Sequence, residues 1–322
     1  MDKEQEKLEF LGIFGILKES FKIILSHPKI FTKINFAFIL PLTFLVLVNN
    51  EISKFLPHNL SNNSSSTLNT QESSPTKWAL YWGFEVTYFM FIFVVIFDLL
   101  SISAVVYTAA CIYSKKEITF KQVMTAIPKV WKRLITTLIC NFCMTLMYSI
   151  VIVICWVIIT RGIFSSNPIG SAIATTILAI LFLIIIIYIT IFWQLANVIS
   201  VMENTCGFKA MKKSRQLVKG KLGIAIAKML VLGIFQTPIF ILYQELIKSD
   251  INNKIGIKIL CIILILLLNP LITLYGLVVQ SVFYCVCKSY HHENIDKSTL
   301  TNHLESFLGD YVPLLTEAVE IV

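Results

Sequence analysis

Residues with chemical potential are few and dispersed in this chain. His291, His292 and Glu293, with His303 further on, come nearest to a metal-binding cluster. Zinc needs three or four converging ligands, and adjacent histidines project in different directions from a helix or loop. Asp98 and Lys228 are the obvious titratable groups inside apolar runs, and they fall at unequal depths. Of the eight cysteines, Cys140 and Cys143 share a helix face at i and i+3 and read as packing thiols. Cys285 and Cys287 lie where an apolar run meets polar sequence, a place for packing or for S-acylation. All eight sit in apolar stretches or beside basic loops, so no disulfide framework is expected. No glycine-rich phosphate loop, Ser/His/Asp set or carboxylate pair is present. The sequence therefore offers no catalytic residue, and neither a metal nor a cofactor is expected.

The elements that carry these residues follow from composition. Hydrophobic residues make up 56% of the 322 and charged residues 14%, with a mean hydropathy of +0.77. A soluble domain needs about 25% charged residues to cover its surface. Six runs instead have the length and apolarity of membrane spans: about 35–48 (extended toward Ile30), 87–113, 134–159, 173–200, 223–246 and 257–287. The expected fold is all-α, a polytopic membrane bundle of about six transmembrane helices with cytosolic interfacial amphipathic helices. Residues 1–34 form an N-terminal cytosolic segment, 35–287 the transmembrane domain and 288–322 a cytosolic tail.

Basic residues are placed unevenly. Twenty of the 27 Lys and Arg fall in residues 1–33, 114–133, 201–222 and the tail, and six fall in the alternate loops. The positive-inside rule then puts both termini in the cytosol. The acidic start Met1-Asp2-Lys3-Glu4-Gln5-Glu6 is no signal-peptide n-region, so the first span is expected to act as an uncleaved anchor. The first non-cytosolic loop carries N-glycosylation triplets at Asn59, Asn62 and Asn63, although a Ser/Asn-rich linker also generates such triplets by composition. The protein is expected in the endoplasmic reticulum or endomembranes, or in the plasma membrane. No basic domain with interleaved aromatics stands apart from the spans, which excludes nucleic acid as a partner.

Three amphipathic stretches precede outgoing spans: Phe10 to Ile30, Thr119 to Leu134 and Gly207 to Leu222. The second and third align without gaps, Phe120-Lys121 over Phe208-Lys209 and Leu134 over Leu222, suggesting three units of interfacial helix plus hairpin. On a helical wheel Phe208, Ala210, Met211, Ser214, Leu217, Val218 and Leu222 form the apolar half of the third stretch. Lys209, Lys212, Lys213, Gln216 and Lys219 form the other half. That pattern suits a helix lying in the headgroup plane, apolar side down. Arg215 falls on the apolar side, where it either binds a phosphate or carboxylate or snorkels to the interface. With Lys129, Lys132 and Arg133, these cations make a face for lipid headgroups or for membrane or cytosolic proteins.

The third stretch also carries a resemblance. Glu203, Gly207, Ala210, Lys213-Ser214, Leu217 and Gly220 have the spacing of a motif in the membrane domain of bacterial glycerophosphodiester phosphodiesterases. Across more of the chain, a plant family of uncharacterised polytopic membrane proteins is similar. The similarity rests on Leu11-Gly12-Ile13-Phe14-Gly15-Ile16, Glu19-Ser20-Phe21-Lys22, Ala110-Cys111-Ile112-Tyr113, Pro128 to Leu134 and Cys287 to His292. The resemblance implies a six-span domain without known activity. The soluble catalytic barrel of the bacterial enzymes has no counterpart here, so phosphodiesterase activity is not implied.

Polar residues inside spans need partners. Asp98, Asn141, Gln194, Asn197, Lys228, Gln236, Asn269 and Gln280 are the pool. Asp98, Lys228 and Asn269 are the ones expected to be buried, with Ser101, Lys228 or Gln236 as partners for Asp98. Asn269-Pro270 should kink the sixth span. Convergence of the pool on one cavity would favour a transporter or channel. The leading expectation is a non-enzymatic protein that organises lipid or recruits partners through its basic cytosolic face. The acidic tail, with Leu300, Leu304, Phe307 and Leu308 at helical spacing after Ser298, reads as a short helix that either docks on the basic loops or binds a partner.

Topology is directly testable. In sealed microsomes with the cytosolic side out, a cysteine at Ser65 should resist an impermeant maleimide until detergent is added, whereas one at Lys121 should react at once. The reverse pattern would overturn the orientation.

Overall fold

In a computed structural model of the protein the described residues are 12–50, 74–114, 119–163, 168–203, 205–248 and 255–291. The Asn59, Asn62 and Asn63 triplets, His292, Glu293, His303 and the acidic tail lie outside them. Eight helices follow in order: α1 Ile13–Ser26, α2 Pro28–Asn50, α3 Ser74–Tyr113, α4 Phe120–Val157, α5 Pro168–Met202, α6 Phe208–Val218, α7 Leu222–Lys248 and α8 Ile255–Tyr290. Among the described residues there is no strand. Six helices, α2, α3, α4, α5, α7 and α8, are long and apolar enough to cross a membrane. The architecture is that of a multi-pass integral membrane protein.

Several of these helices are longer than a bilayer requires. The 35 residues of α5 span about 52 Å at 1.5 Å each, against a hydrocarbon core of about 30 Å. The excess is used for packing at one end of the bundle. Residues 101–111 of α3, 195–202 of α5 and 278–287 of α8 are buried all round, as central helices are. Around them α4 contributes Val123, Ala126, Ile127, Val130, Leu134 and Thr137, one helical stripe, while α2 adds Phe31, Ile34, Phe38 and Ile39. Serines and alanines (Ser101, Ser103, Ala104, Ala196, Ser200, Ser281) let these backbones approach closely. Beyond Thr137 no residue of α4 is buried, and none of α5 is before Ile191. Those stretches are also the most apolar of their helices, which suits them to face lipid chains.

Local sequence sets the breaks. Pro28, first residue of α2, holds His27 out of the helical region (φ −133°, ψ 56°), so α1 turns away from the span it precedes. Ser26 caps that turn, its hydroxyl on the Ile23 carbonyl at 2.7 Å and beside the His27 ring at 2.8 Å. At the start of α4 the Thr119 side chain accepts from the Gln122 backbone, and the Gln122 side chain accepts from the Thr119 N–H. α4 then runs without interruption into its span. The expected separate interfacial helix in the second unit is therefore corrected: residues 120–134 are the first turns of a 38-residue helix. The reason lies at one aligned position. α6 stops at Gly220, whose φ of +89° suits glycine, and there the second unit has Lys132, which continues the helix.

Gly220 also leaves no room for a side chain. A Cβ there would lie 2.6 Å from the Tyr290 ring, which is held under Lys221 (Nζ 4.7 Å from the centroid) and against His291. Gly220→Ala should lower stability by about 1–2 kcal/mol from the backbone conformation alone, read as a fall in Tm in mild detergent. Gly223→Ala, whose Cβ meets nothing within 4 Å, is the control. Equal melting of the Gly220 variant and the parent would contradict this reading.

Candidate functional site

The polar side chains of the packed end converge on Glu203, one residue past the end of α5, with its N–H still bonded to the Ile199 carbonyl at 2.8 Å. Its carboxylate takes Lys213 of α6 at 2.7 Å, and Lys288 and the Tyr284 hydroxyl of α8 at 3.1 and 2.6 Å. Arg133 of α4 donates to the Glu203 backbone carbonyl at 3.4 Å. Four helices thus meet at one residue whose side chain is only 13% exposed. Burial pushes the carboxyl pKa up, but hydrogen bonds from Lys213 and Tyr284 and the charges of Lys288 and Lys213 outweigh it and hold it below its ordinary value.

A second set of contacts seats α6. The Gly207 N–H donates to Thr137 Oγ1 at 2.9 Å, and Thr137 pairs with the Ser200 hydroxyl at 2.7 Å. Gly207 has φ +62°, and a Cβ there would press on Cys140 Sγ and Thr136 at 3.2 and 3.3 Å. Ala210 and Leu217 are buried, and the Ser214 hydroxyl donates to the Phe192 carbonyl of α5 at 2.8 Å. At the other end of α6, His291 Nε2 lies 3.1 Å from the Leu217 and Lys219 carbonyls and closes the helix as a donor. Each residue of the Glu203–Gly220 spacing thus has a structural task in docking α6.

Docking fixes which side of α6 remains outside. Ala210, Ser214, Leu217 and Val218 face the bundle, with Lys213 turned to Glu203. Phe208, Lys209, Lys212, Arg215, Gln216 and Lys219 are exposed on the opposite arc. This corrects the wheel reading in two respects. Phe208, assigned to the inner half, is 65% exposed, and Arg215 lies beside it, so no cation interrupts the buried face. The apolar side of α6 is also covered by protein, leaving it none to lay on a bilayer. Of the expected headgroup-facing cations, Lys209, Lys212, Arg215, Lys219, Lys129 and Lys132 are exposed, while Lys213 and Arg133 are drawn to Glu203.

Five of the eight in-span polar residues, Gln194, Lys228, Gln236, Asn269 and Gln280, bond across helices. Lys228 is 3% exposed, 3.2 Å from Gln194 Oε1 and over the Phe283 ring at 5.1 Å. Gln280 donates to the Gln194 carbonyl. Gln236 donates to Asn269, and Asn269 donates to Thr43 at 3.3 Å, joining α7, α8 and α2. Asp98 is only half-buried, and Ser101 bonds instead to the Phe97 carbonyl at 2.7 Å. Among the described residues none of the expected partners bonds Asp98. Cys285 and Cys287 are buried, so packing replaces the S-acylation alternative. No group of three or more metal-ligating side chains exists among the described residues.

Sequence reasoning missed Tyr284, Lys288, Thr137 and Ser200 as partners of the α6 motif. Lys288 one turn after Tyr284, at the end of an apolar span, was the available signal. The chain belongs to a family described as a domain of unknown function (DUF8558), whose model matches residues 1–321. No curated protein and no solved structure matches it.

Because the folded-state pKa of Glu203 is lowered, its stabilisation is full above the unfolded value of about 4.3 and is lost as pH falls through the lower folded value. Glu203→Gln should cost on the order of 2 kcal/mol near neutral pH and flatten the acid limb of a Tm–pH curve. An unchanged acid limb would remove Glu203 from the account.

Proposed function

We propose that this DUF8558 member is a non-enzymatic membrane protein, with both termini in the cytosol, that organises anionic lipid at a basic cytosolic face. The observation that carries the reading is the outward arc of α6, where exposed Phe208 stands among Lys209, Lys212, Arg215 and Lys219. Cations around a single aromatic suit a headgroup layer, where charge meets phosphate and the ring enters the acyl boundary. Each basic residue near an anionic surface contributes about 1 kcal/mol. Lys129 and Lys132, exposed on α4, extend the same end.

α1 supports the reading from a different side. Ile16 and Ser20 face the bundle, and the Leu17 carbonyl accepts from Tyr275 at 3.0 Å. Phe14, Phe21 and Leu25 remain exposed beside Lys18 and Lys22. Of the three stretches read as interfacial helices, α1 is therefore a better candidate for lying in the interface than α6. The transport alternative is less supported, because Gln194, Lys228, Gln236, Asn269 and Gln280 bond one another between helices. The resemblance to a plant family and to a bacterial membrane domain implies a six-span unit without known activity, which we place in an endomembrane or the plasma membrane.

An NBD fluorophore carried at position 208 of the full chain in nanodiscs tests the proposal. Emission should shift to the blue when anionic lipid replaces phosphatidylcholine, and return at high salt. Neutralising Lys209, Lys212, Arg215 and Lys219 to glutamine should abolish the shift. The same emission in both lipids would contradict the headgroup role and turn attention to an acidic protein partner.

A further inference from the structure

The outward arc of α6 sets Lys209, Lys212, Arg215 and Lys219 around exposed Phe208, and none of these cations forms an ion pair among the described residues. Its complement in charge lies in the same chain. From residue 292 onward the sequence carries six carboxylates, Glu293, Asp296, Glu305, Asp310, Glu317 and Glu320, against one lysine, Lys297. The net charge of +8 is therefore the balance of a more basic body and an acidic tail.

The fold fixes where that tail starts. His291 Nε2 lies 3.1 Å from the Leu217 and Lys219 carbonyls, so the chain leaves α8 at the C-terminal end of α6. The 11 residues of α6 span about 16 Å, a distance that about five extended residues cover. Glu293 and Asp296 are thus within reach of Lys219 and Arg215, and Glu305 within reach of Lys209 and Lys212. α1, with exposed Lys18 and Lys22, is held further away. Its Leu17 carbonyl binds Tyr275, about 24 Å back along α8 from His291. Exposed ion pairs are individually weak. A segment tethered beside its site acts at an effective concentration on the order of millimolar, so a few such pairs suffice. Leu300, Leu304 and Phe307, interspersed with the acids, are suited to the Phe208 ring. The geometry points to the acidic tail as the occupant of this arc, a built-in competitor that anionic lipid displaces. The displacement rests on the headgroup reading of the same face, whereas the docking rests on charge and attachment alone.

Carbodiimide coupling of carboxylates to lysines, on the full chain in phosphatidylcholine nanodiscs and mapped by mass spectrometry, tests the docking. Crosslinks from Glu293, Asp296, Glu305 and Asp310 to Lys209, Lys212 and Lys219 should exceed by several-fold those to Lys18 and Lys22 of α1. In nanodiscs with equimolar phosphatidylserine the α6 crosslinks should fall several-fold. A tail variant carrying Glu293→Gln, Asp296→Asn, Glu305→Gln and Asp310→Asn then tests the competition. A fluorophore at position 208 should shift to the blue at a several-fold lower phosphatidylserine fraction in this variant than in the parent. Crosslinks shared evenly between α1 and α6 would overturn the docking. A shift at the same phosphatidylserine fraction in both proteins would overturn the competition. A preference for α6 with no shift at 208 in either protein would uphold the docking and refute the headgroup reading, so the two fail separately.

Discussion

A single carboxylate holds the packed end of this bundle together. Glu203 accepts from Lys213, Lys288 and Tyr284, while its backbone carbonyl takes Arg133. Remove its charge and three cations from α4, α6 and α8 are left facing one another in a partly buried site, where their repulsion is poorly screened. The orientation of α6 follows from this constraint together with the Gly207–Thr137 and Ser214–Phe192 bonds. Once Lys213 is turned inward, helical geometry leaves Phe208, Lys212, Arg215 and Lys219 outward. The basic face is thus a consequence of how the helix is anchored.

The division of the helices into two lengths has a similar physical origin. Between spans surrounded by lipid there is little hydrophobic drive to associate, so close packing and polar ties must hold them. The protein concentrates its close packing where α3, α5 and α8 are lined by serine and alanine. Deeper along the spans it relies on sparse ties such as Gln236–Asn269–Thr43 and Tyr243 to the Leu47 carbonyl at 3.1 Å. Between α5 and α7 the sparse packing leaves an open apolar groove.

Much of the scaffold was legible in the chain because hydropathy over about 20 residues is a strong signal. All six expected spans coincide with helices, to within a few residues at most ends. The exceptions are the start of α3, which begins at Ser74 instead of 87, and α4, whose amphipathic start fuses with its span because Lys132 stands at the position aligned with Gly220. Phe208 departs from its place on the α6 wheel for a related reason. Hydrophobicity puts a large apolar side chain on the buried face, whereas tertiary packing takes small Ala210 and Ser214 for close approach to α5. The partners of Asp98 were unreadable, since sequence gives depth along a helix but not which helices adjoin. Lys228 and Gln236 were instead taken by Gln194 and Asn269.

The central claim is that Glu203 pins α6, and hydrogen–deuterium exchange on the full chain in nanodiscs measures that directly. Comparing the parent with Glu203→Gln, amides of 208–218 should lose protection by an order of magnitude or more. Those of 195–202 and 278–283, buried in the helix core, should change little. If α6 exchanges as slowly in the variant as in the parent, the carboxylate does not hold the helix and the account of its basic face is wrong.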